Sequence, residues 1–406
     1  MKQAHSLVRS LIAGKPKSRR RTLGLEHTRA FVENVFRKGL HGARVMALGS
    51  AVAGALRSAG LAIHAIGRGY AALANVDPRY GVKQVDRLLS SELSMEEALR
   101  CWVQFVVADY PSIVVALDWT DFEADDHVTL YAALVTTNGR ALPLAWKTVK
   151  KSDLKGKQSR IEEELISSLH EWLPKSTAVT LLADRGFGRV ELYRLLESLH
   201  WDYVIRFKQD VLVAVDDTRQ KAGAWVPPNG RVRMLPNAIV TGRKVPVPAV
   251  VLVKAKRMKE PWCLATSLVT SEAQEIVRLY GRRFTIEETF RDTKDINFGM
   301  GLRATHIRRA DRRDRLLLLA ALAHSLLSLL GVASERSGMD RGLKVNTVKR
   351  RTHSLFRQGV IWYEMLDVMN DERLERLLSA FDEVLREHQA LSNLFAMLGP
   401  GSDAEN

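Results

Sequence analysis

Cysteine, acidic residues and long apolar runs are all scarce in this 406-residue chain, and each shortage excludes something. The two cysteines, Cys101 and Cys263, build neither a disulfide framework nor a Cys-x-x-Cys metal site, and they fit a reducing, cytoplasmic compartment. Asp and Glu number 46 against 61 Lys and Arg, a net charge of +15 with a pI near 9.9. Such a surplus favours a polyanionic partner, nucleic acid before a membrane surface. Only Leu316 to Val332 approaches a membrane span. It falls short of about 18 residues, carries His324, Ser325 and Ser328, and has arginines crowding its upstream end. A buried helix is expected there, and no membrane partner. The N-terminus lacks a continuous apolar stretch with a small-residue cleavage site, so no signal peptide is expected. Internal repeats and low-complexity tracts are absent.

The length suffices for two or three domains, and the 46% hydrophobic content can build a sizeable core. Residues 1–30 hold Lys2, Arg9, Lys15, Lys17, Arg19, Arg20, Arg21 and Arg29 against the single acid Glu26, which suits a tail or a phosphate-binding arm. Helical periodicity follows from Thr28 to about Tyr70 and again from Gln84 to Val107, where Ser94 and Glu97 match a capping box. No spacing there specifies a helix-turn-helix. The character changes at Pro111. Ile113–Leu117, Val128–Thr136 and Leu142–Val149 suggest a three-strand meander with a turn at Asn138-Gly139. A helix over Arg160–Trp172, a strand over Ala178–Ala183, a helix near Val190–Leu199 and a strand over Asp202–Phe207 complete a mixed α/β pattern. Residues 209–260 are rich in Val, Lys, Arg and Pro and look like a β-rich insertion. A short strand over Trp262–Thr266 comes next, then a basic cluster at residues 303–315, and finally amphipathic helix and an acidic tail over 336–406.

Between Glu272 and about Asp295 the only helix breaker is Gly281, so one long helix is expected. On a wheel of roughly 100° per residue, Tyr280, Arg283, Glu287 and Lys294 share one stripe, and Leu279, Ile286 and Phe290 form an apolar shoulder beside it. A solvated face laced with i,i+4 charge pairs is the alternative. Asp118 and Asp184 each stand where an apolar strand stops, the place where open α/β sheets build sites; a helix cap or turn residue is the alternative for each. Asp121, Glu123, Asp125 and Asp126 rival Asp118 but are expected on the following loop. Two strand-end aspartates and a helix glutamate offer three hard oxygen ligands suited to Mg²⁺ or Mn²⁺.

The stretches Asp118-Trp119-Thr120-Asp121 and Asp184-Arg185-Gly186-Phe187, with the Tyr-x2-Arg-x3-Glu-x6-Lys run at Tyr280, Arg283, Glu287 and Lys294, resemble the insertion sequence four family of bacterial DDE transposases. VDRLLSSELS (85–94), KEPWCLATSL (259–268), IEETFRD (286–292), GMGL (299–302) and NTV (346–348) add to the likeness, which covers residues of about 80 to 365. The resemblance implies an α/β fold with a ribonuclease H-like mixed-sheet core. That core would occupy residues 109–208 and 261–335, interrupted by the insertion at 209–260. Charge and position point to residues 1–108, all-helical and basic, as a DNA-binding domain, and a helical region at 336–406 is a candidate dimerisation element. Asp118, Asp184 and Glu287 would be catalytic and hold two Mg²⁺ or Mn²⁺ ions per site. Tyr280, Arg283 and Lys294 would grip DNA phosphates, Trp262 would stack a flipped base, and Arg185 is a further DNA-binding candidate by adjacency. The implied activity is cut-and-paste transposition: end nicking, hairpin formation and opening, and strand transfer. The implied partners are double-stranded DNA, as terminal inverted repeats and target, and a second copy of the chain in a paired-end complex, acting near the bacterial nucleoid. A nuclease that cuts without joining and an inactive transposase-derived DNA-binding protein are the rivals.

Overall fold

The computed structural model describes residues 23–108 and 110–386. Most of the basic arm and all of the acidic tail therefore lie outside the described residues. Among the described residues five helices come first: α1 (Leu25–Phe36), α2 (Gly42–Ser58), α3 (Ile63–Ala74), α4 (Pro78–Leu89) and α5 (Met95–Val107). Local chemistry sets their starts. Asp77 accepts a hydrogen bond from the Arg79 amide at 2.7 Å with Pro78 in the first turn, and Ser94 accepts from the Glu97 amide at 3.3 Å, as the capping-box spacing predicts.

The meander follows as β1 (Ser112–Phe122), β2 (His127–Val135) and β3 (Ala141–Lys150), with Gly139 at φ +76° in the predicted turn. Next come α6 (Gln158–Trp172), β4 (Ala178–Ala183), α7 (Val190–Ser198) and β5 (Asp202–Phe207). β1 pairs antiparallel with β2 and parallel with β4, and β4 pairs parallel with β5. The order β3-β2-β1-β4-β5 is consistent with the ribonuclease H-like expectation. Residues 209–260 supply β6 (Leu212–Val215), β7 (Thr218–Lys221), β8 (Arg233–Val240) and β9 (Val245–Val253), and β10 (Trp262–Thr266) follows them. β10 joins β9 to β5, so the ten strands among the described residues form one mixed sheet.

β1 is longer than its apolar run suggests. Its parallel ladder with β4 ends at Leu117–Ala183, but its antiparallel ladder with β2 continues to Phe122–His127. Asp118 is thus mid-strand, and Asp121 is an exposed strand residue, not part of a loop. The extension is polar because only one neighbour covers it, which hides it from an apolar-run criterion.

The expected single helix over 272–295 is two: α8 (Ala273–Gly281) and α9 (Thr285–Lys294), separated by a 3₁₀ turn at Arg282–Phe284. Gly281 weakens the helix there, and the Thr285 hydroxyl donates to the Arg282 carbonyl at 2.9 Å, offering the backbone an alternative to the α ladder. The tighter turn buries Arg283 and leaves Phe284 40% exposed.

The remaining helices are α10 (Ala310–Arg336), α11 (Leu355–Met365) and α12 (Asp371–Arg386). α10 contains the apolar run. It is long and apolar enough to cross a membrane, but it is buried almost throughout, against β3, α2, α11 and α12. The basic cluster at its start is largely consumed by the fold. Arg313 is fully buried on Asp125 and His127, Arg315 binds Asp311 and the Leu89 carbonyl, and Arg312 reaches Asp86 and Ser90.

α10 and α11 cross glycine to glycine. A Cβ on Gly359 would collide with the Leu327 carbonyl, and one on Gly331 with the Leu355 carbonyl. Both obstacles are backbone and cannot rotate away. Gly359→Ala is therefore expected to destabilise the protein by about 1–3 kcal/mol, as overpacking does; an unchanged urea midpoint would contradict this crossing.

Candidate active site

Residues 117 and 183 are register partners in parallel strands, so Asp118 and Asp184 leave the ladder side by side. Alternation along β1 sends Asp118, Thr120 and Phe122 to one side of the sheet and Trp119 to the other. The first side faces α9, which the sheet holds at two points. Thr289 Oγ1 donates to the Ala141 carbonyl at 2.7 Å and accepts from the Ala141 amide at 2.8 Å. One turn on, the buried Asp292 accepts from Arg140 Nε at 2.6 Å, with His324 Nε2 at 3.6 Å. These contacts fix the rotation of α9 and turn Glu287 toward β1.

Arg283 joins the site together. Its Nη1 lies 3.1 Å from Asp118 Oδ2 and its Nη2 lies 3.1 Å from Glu287 Oε1. Asp118 Oδ1 accepts from the Trp119 amide at 3.0 Å, and Asp184 Oδ1 from the Gly186 amide at 2.7 Å. Burial pushes the Asp118 carboxyl up to about 6, and the Asp184 and Glu287 charges add to that; Arg283 and the Trp119 amide pull the other way. Burial pulls the Arg283 guanidinium down, but Tyr280 and the three carboxylates more than offset it, so its net shift is upward.

The accessory residues divide. Lys294 Nζ donates to Thr120 Oγ1 at 2.6 Å and the Asp121 carbonyl at 2.8 Å, and lies over the Phe122 ring. Burial lowers it to about 8. Tyr280 is almost fully buried, edge-on to the half-buried Trp262 with ring centres 4.9 Å apart. The structure thus brings Asp118, Asp184, Arg283, Glu287, Lys294 and Tyr280 into one neighbourhood. Arg185 stands apart on the surface, paired to Glu260 at 3.0 Å, and Arg206 shares that carboxylate. Phe284 was missed from sequence. Its half-exposed ring stacks on Trp262 at 6.0 Å and 28° and also lies under Arg283. Only its place beside Arg283 could have flagged it.

Three carboxylates around one guanidinium leave a surplus of negative charge that divalent cations suit, so the donor set fits Mg²⁺ or Mn²⁺ in kind. Among the described residues, however, no three His, Cys, Asp or Glu side chains converge closely enough to hold a metal. Asp118 and Glu287 are both turned onto Arg283 instead.

The Asp118 environment has a consequence for stability. Its carboxyl in the fold, about 6, stands above its ordinary 3.8. Between those values the folded state keeps a proton that the unfolded state has lost, so this group's contribution falls as pH rises from about 4 to 6. Removing Arg283 pushes the carboxyl higher and extends the loss above pH 6. Each further tenfold change in its acidity is worth about 1.4 kcal/mol. The destabilisation caused by Arg283→Ala is therefore expected to be larger at pH 8 than at pH 5 in urea unfolding. An equal deficit at both would show that Arg283 does not compensate Asp118.

The family model described as a transposase DDE domain matches residues 109–326, more than half of the chain, and this span contains every candidate site residue named above. No curated protein matches significantly. With two aspartates abreast on neighbouring strands and a glutamate brought to them on the helix that follows the sheet, the chain belongs to the DDE transposase family.

Proposed function

We infer that this protein is a cut-and-paste DNA transposase of the insertion sequence four type, similar to the transposase of the composite tetracycline-resistance transposon. The observation that carries this reading is the grouping of Asp118, Asp184 and Glu287 around Arg283, inside the span that matches the family model. Asp118, Asp184 and Glu287 would hold the divalent metal ions that DDE transposases generally use. When bound, such ions activate a water or 3′-hydroxyl and stabilise the leaving oxygen of an in-line displacement. The same site would serve four phosphoryl transfers: nicking each end, closing a hairpin, reopening it, and joining the 3′-ends to target DNA.

The chain's own residues would orient the strand. On DNA entry, Arg283 would exchange carboxylate for phosphate, since its fork of donors suits either. Lys294 would steady the scissile strand beside Thr120. The Trp262 and Phe284 rings would have to part to receive an extruded base, and the base–aromatic stack gained, about 1–3 kcal/mol, would be offset by the ring–ring stack lost. The helical residues up to 108 would recognise the transposon ends, and the region from 336 would pair two copies of the chain on DNA.

Two experiments test this reading. On a labelled transposon-end duplex with Mg²⁺, wild type should nick and form a hairpin. Glu287→Gln, which keeps shape but removes the charge, should bind and do neither, at least a hundredfold slower. Cleavage by Glu287→Gln at the wild-type rate would sink the three-carboxylate reading, and nicking without hairpins would favour a plain nuclease. In the second experiment, deleting residues 1–22 stops short of the buried Leu23 and removes seven cations. End binding should weaken, and its logarithmic salt dependence should become shallower by about 0.9 for each phosphate that is no longer neutralised; an unchanged slope would remove the arm from the DNA interface.

A further inference from the structure

The side of β1 away from α9 carries a second arrangement, centred on Glu162 of α6. Its side chain is fully buried. Oε1 accepts from Trp119 Nε1 at 2.7 Å and from Gln158 Nε2 at 3.0 Å, and Oε2 is paired with Arg189 Nη1. Trp119 is the residue after Asp118, and its own amide holds Asp118 Oδ1. Arg189 closes the turn that begins at Asp184. In that turn the Gly186 amide holds Asp184 Oδ1, the Phe187 amide binds the Asp184 carbonyl, and the Arg189 amide binds the Phe187 carbonyl. Among the described residues, nothing else connects the segments after the two aspartates so directly, because the ladder between their strands has ended at Leu117–Ala183.

The geometry points to Glu162 as a positioning residue that fixes the relative placement of Asp118 and Asp184, one carboxylate oxygen serving the segment after each. It rests on the reading of Asp118 and Asp184 as the reacting-site carboxylates. A fully buried carboxylate is retained at a cost unless each lone pair is used, and here one oxygen is spent on each aspartate's flanking segment. Trp119 transmits the constraint through a rigid side chain with one donor. Its indole N–H is held on one side of the sheet while its backbone N–H holds Asp118 on the other. α6 thereby acts on the site from behind the sheet without touching substrate.

The test compares full-length wild type, Trp119→Phe and Glu162→Gln. Trp119→Phe removes the indole donor and keeps an aromatic core residue, so it remains informative if Glu162→Gln folds poorly. Mn²⁺ binding is read from the electron paramagnetic resonance signal of free Mn²⁺, with and without end duplex and against duplex alone, beside nicking of the same duplex. The expected result is roughly tenfold weaker Mn²⁺ binding in both variants, within the range for residues that orient ligands. Nicking should fall in kcat with KM for the duplex unchanged and recover at high Mn²⁺, with unfolding midpoints close to wild type. Wild-type Mn²⁺ affinity and nicking in a folded Trp119→Phe would overturn the positioning role alone. If wild type binds Mn²⁺ more tightly than both variants yet cuts no duplex, the transposase reading fails and the positioning role stands. Wild type without any Mn²⁺ affinity would overturn both.

Discussion

The site depends on one mismatch in length: β1 outruns its parallel neighbour β4. Where two parallel strands end together, the residues that follow are already in loops and owe their positions to local turns. Here β4 ends at Ala183, but β1 continues for five residues on its antiparallel ladder with β2. One aspartate is therefore held by a strand and the other by a turn, side by side. Because β1 is still a strand at this point, its alternation also presents Asp118 and Trp119 to opposite sides of the sheet. That alternation allows α9 to approach the carboxylates from one side while α6 steadies them from the other.

Electrostatics explains why the second requirement, Arg283, is buried beside carboxylates. A carboxylate buried away from water resists ionisation, and like charges beside it add to that, as the raised Asp118 carboxyl shows. Arg283 relieves that strain without satisfying it, since it pairs with Asp118 and Glu287 while Asp184 accepts from the Gly186 amide. The resting site is thus compact but undercompensated, which is the condition in which added cations bind favourably. The 3₁₀ turn between α8 and α9 has the same logic. The tighter turn still leaves Arg283 paired with Glu287 four residues on, and it leaves Phe284 exposed beside Trp262.

Much of this was legible in the sequence, and what was not has physical causes. The strands and their aspartates were visible because apolar runs buried on both faces are unmistakable, and the meander turn because Asn138-Gly139 has few other uses. The stripe of Arg283, Glu287 and Lys294 was visible because helical spacing survives a short 3₁₀ interruption. The extension of β1 was hidden because a strand with one neighbour is not uniformly apolar. Glu162 was hidden because a lone glutamate on an amphipathic helix looks like any surface acid; its role exists only through Trp119 and Arg189, 43 and 27 residues away. The arginines at 303–315 misled in the opposite direction. They suggested a basic patch, and the fold uses Arg313 and Arg315 as buried partners for Asp125 and Asp311.

With these arginines taken up by the fold, the net charge must be traced to other parts of the chain. Residues 1–108 hold seventeen Lys and Arg against seven Asp and Glu, whereas the remaining 298 residues hold forty-four against thirty-nine. Two-thirds of the surplus thus lies ahead of the sheet, and the rest of the chain, which holds the three candidate carboxylates, is nearly neutral. A nearly neutral catalytic half attracts DNA only weakly by itself, and carboxylates near a phosphodiester oppose its approach. Residues 1–22, with seven Lys and Arg and no Asp or Glu, would supply most of the long-range attraction, and the site would then have to overcome only a local repulsion. Arg283 and Lys294 are placed to reduce that repulsion, and bound cations would reduce it further. On the proposed function, association and chemistry would fall to different parts of the chain. The salt dependence of DNA binding should accordingly follow changes before residue 108, and the metal dependence of cleavage should follow changes around Asp118, with little crossing between the two.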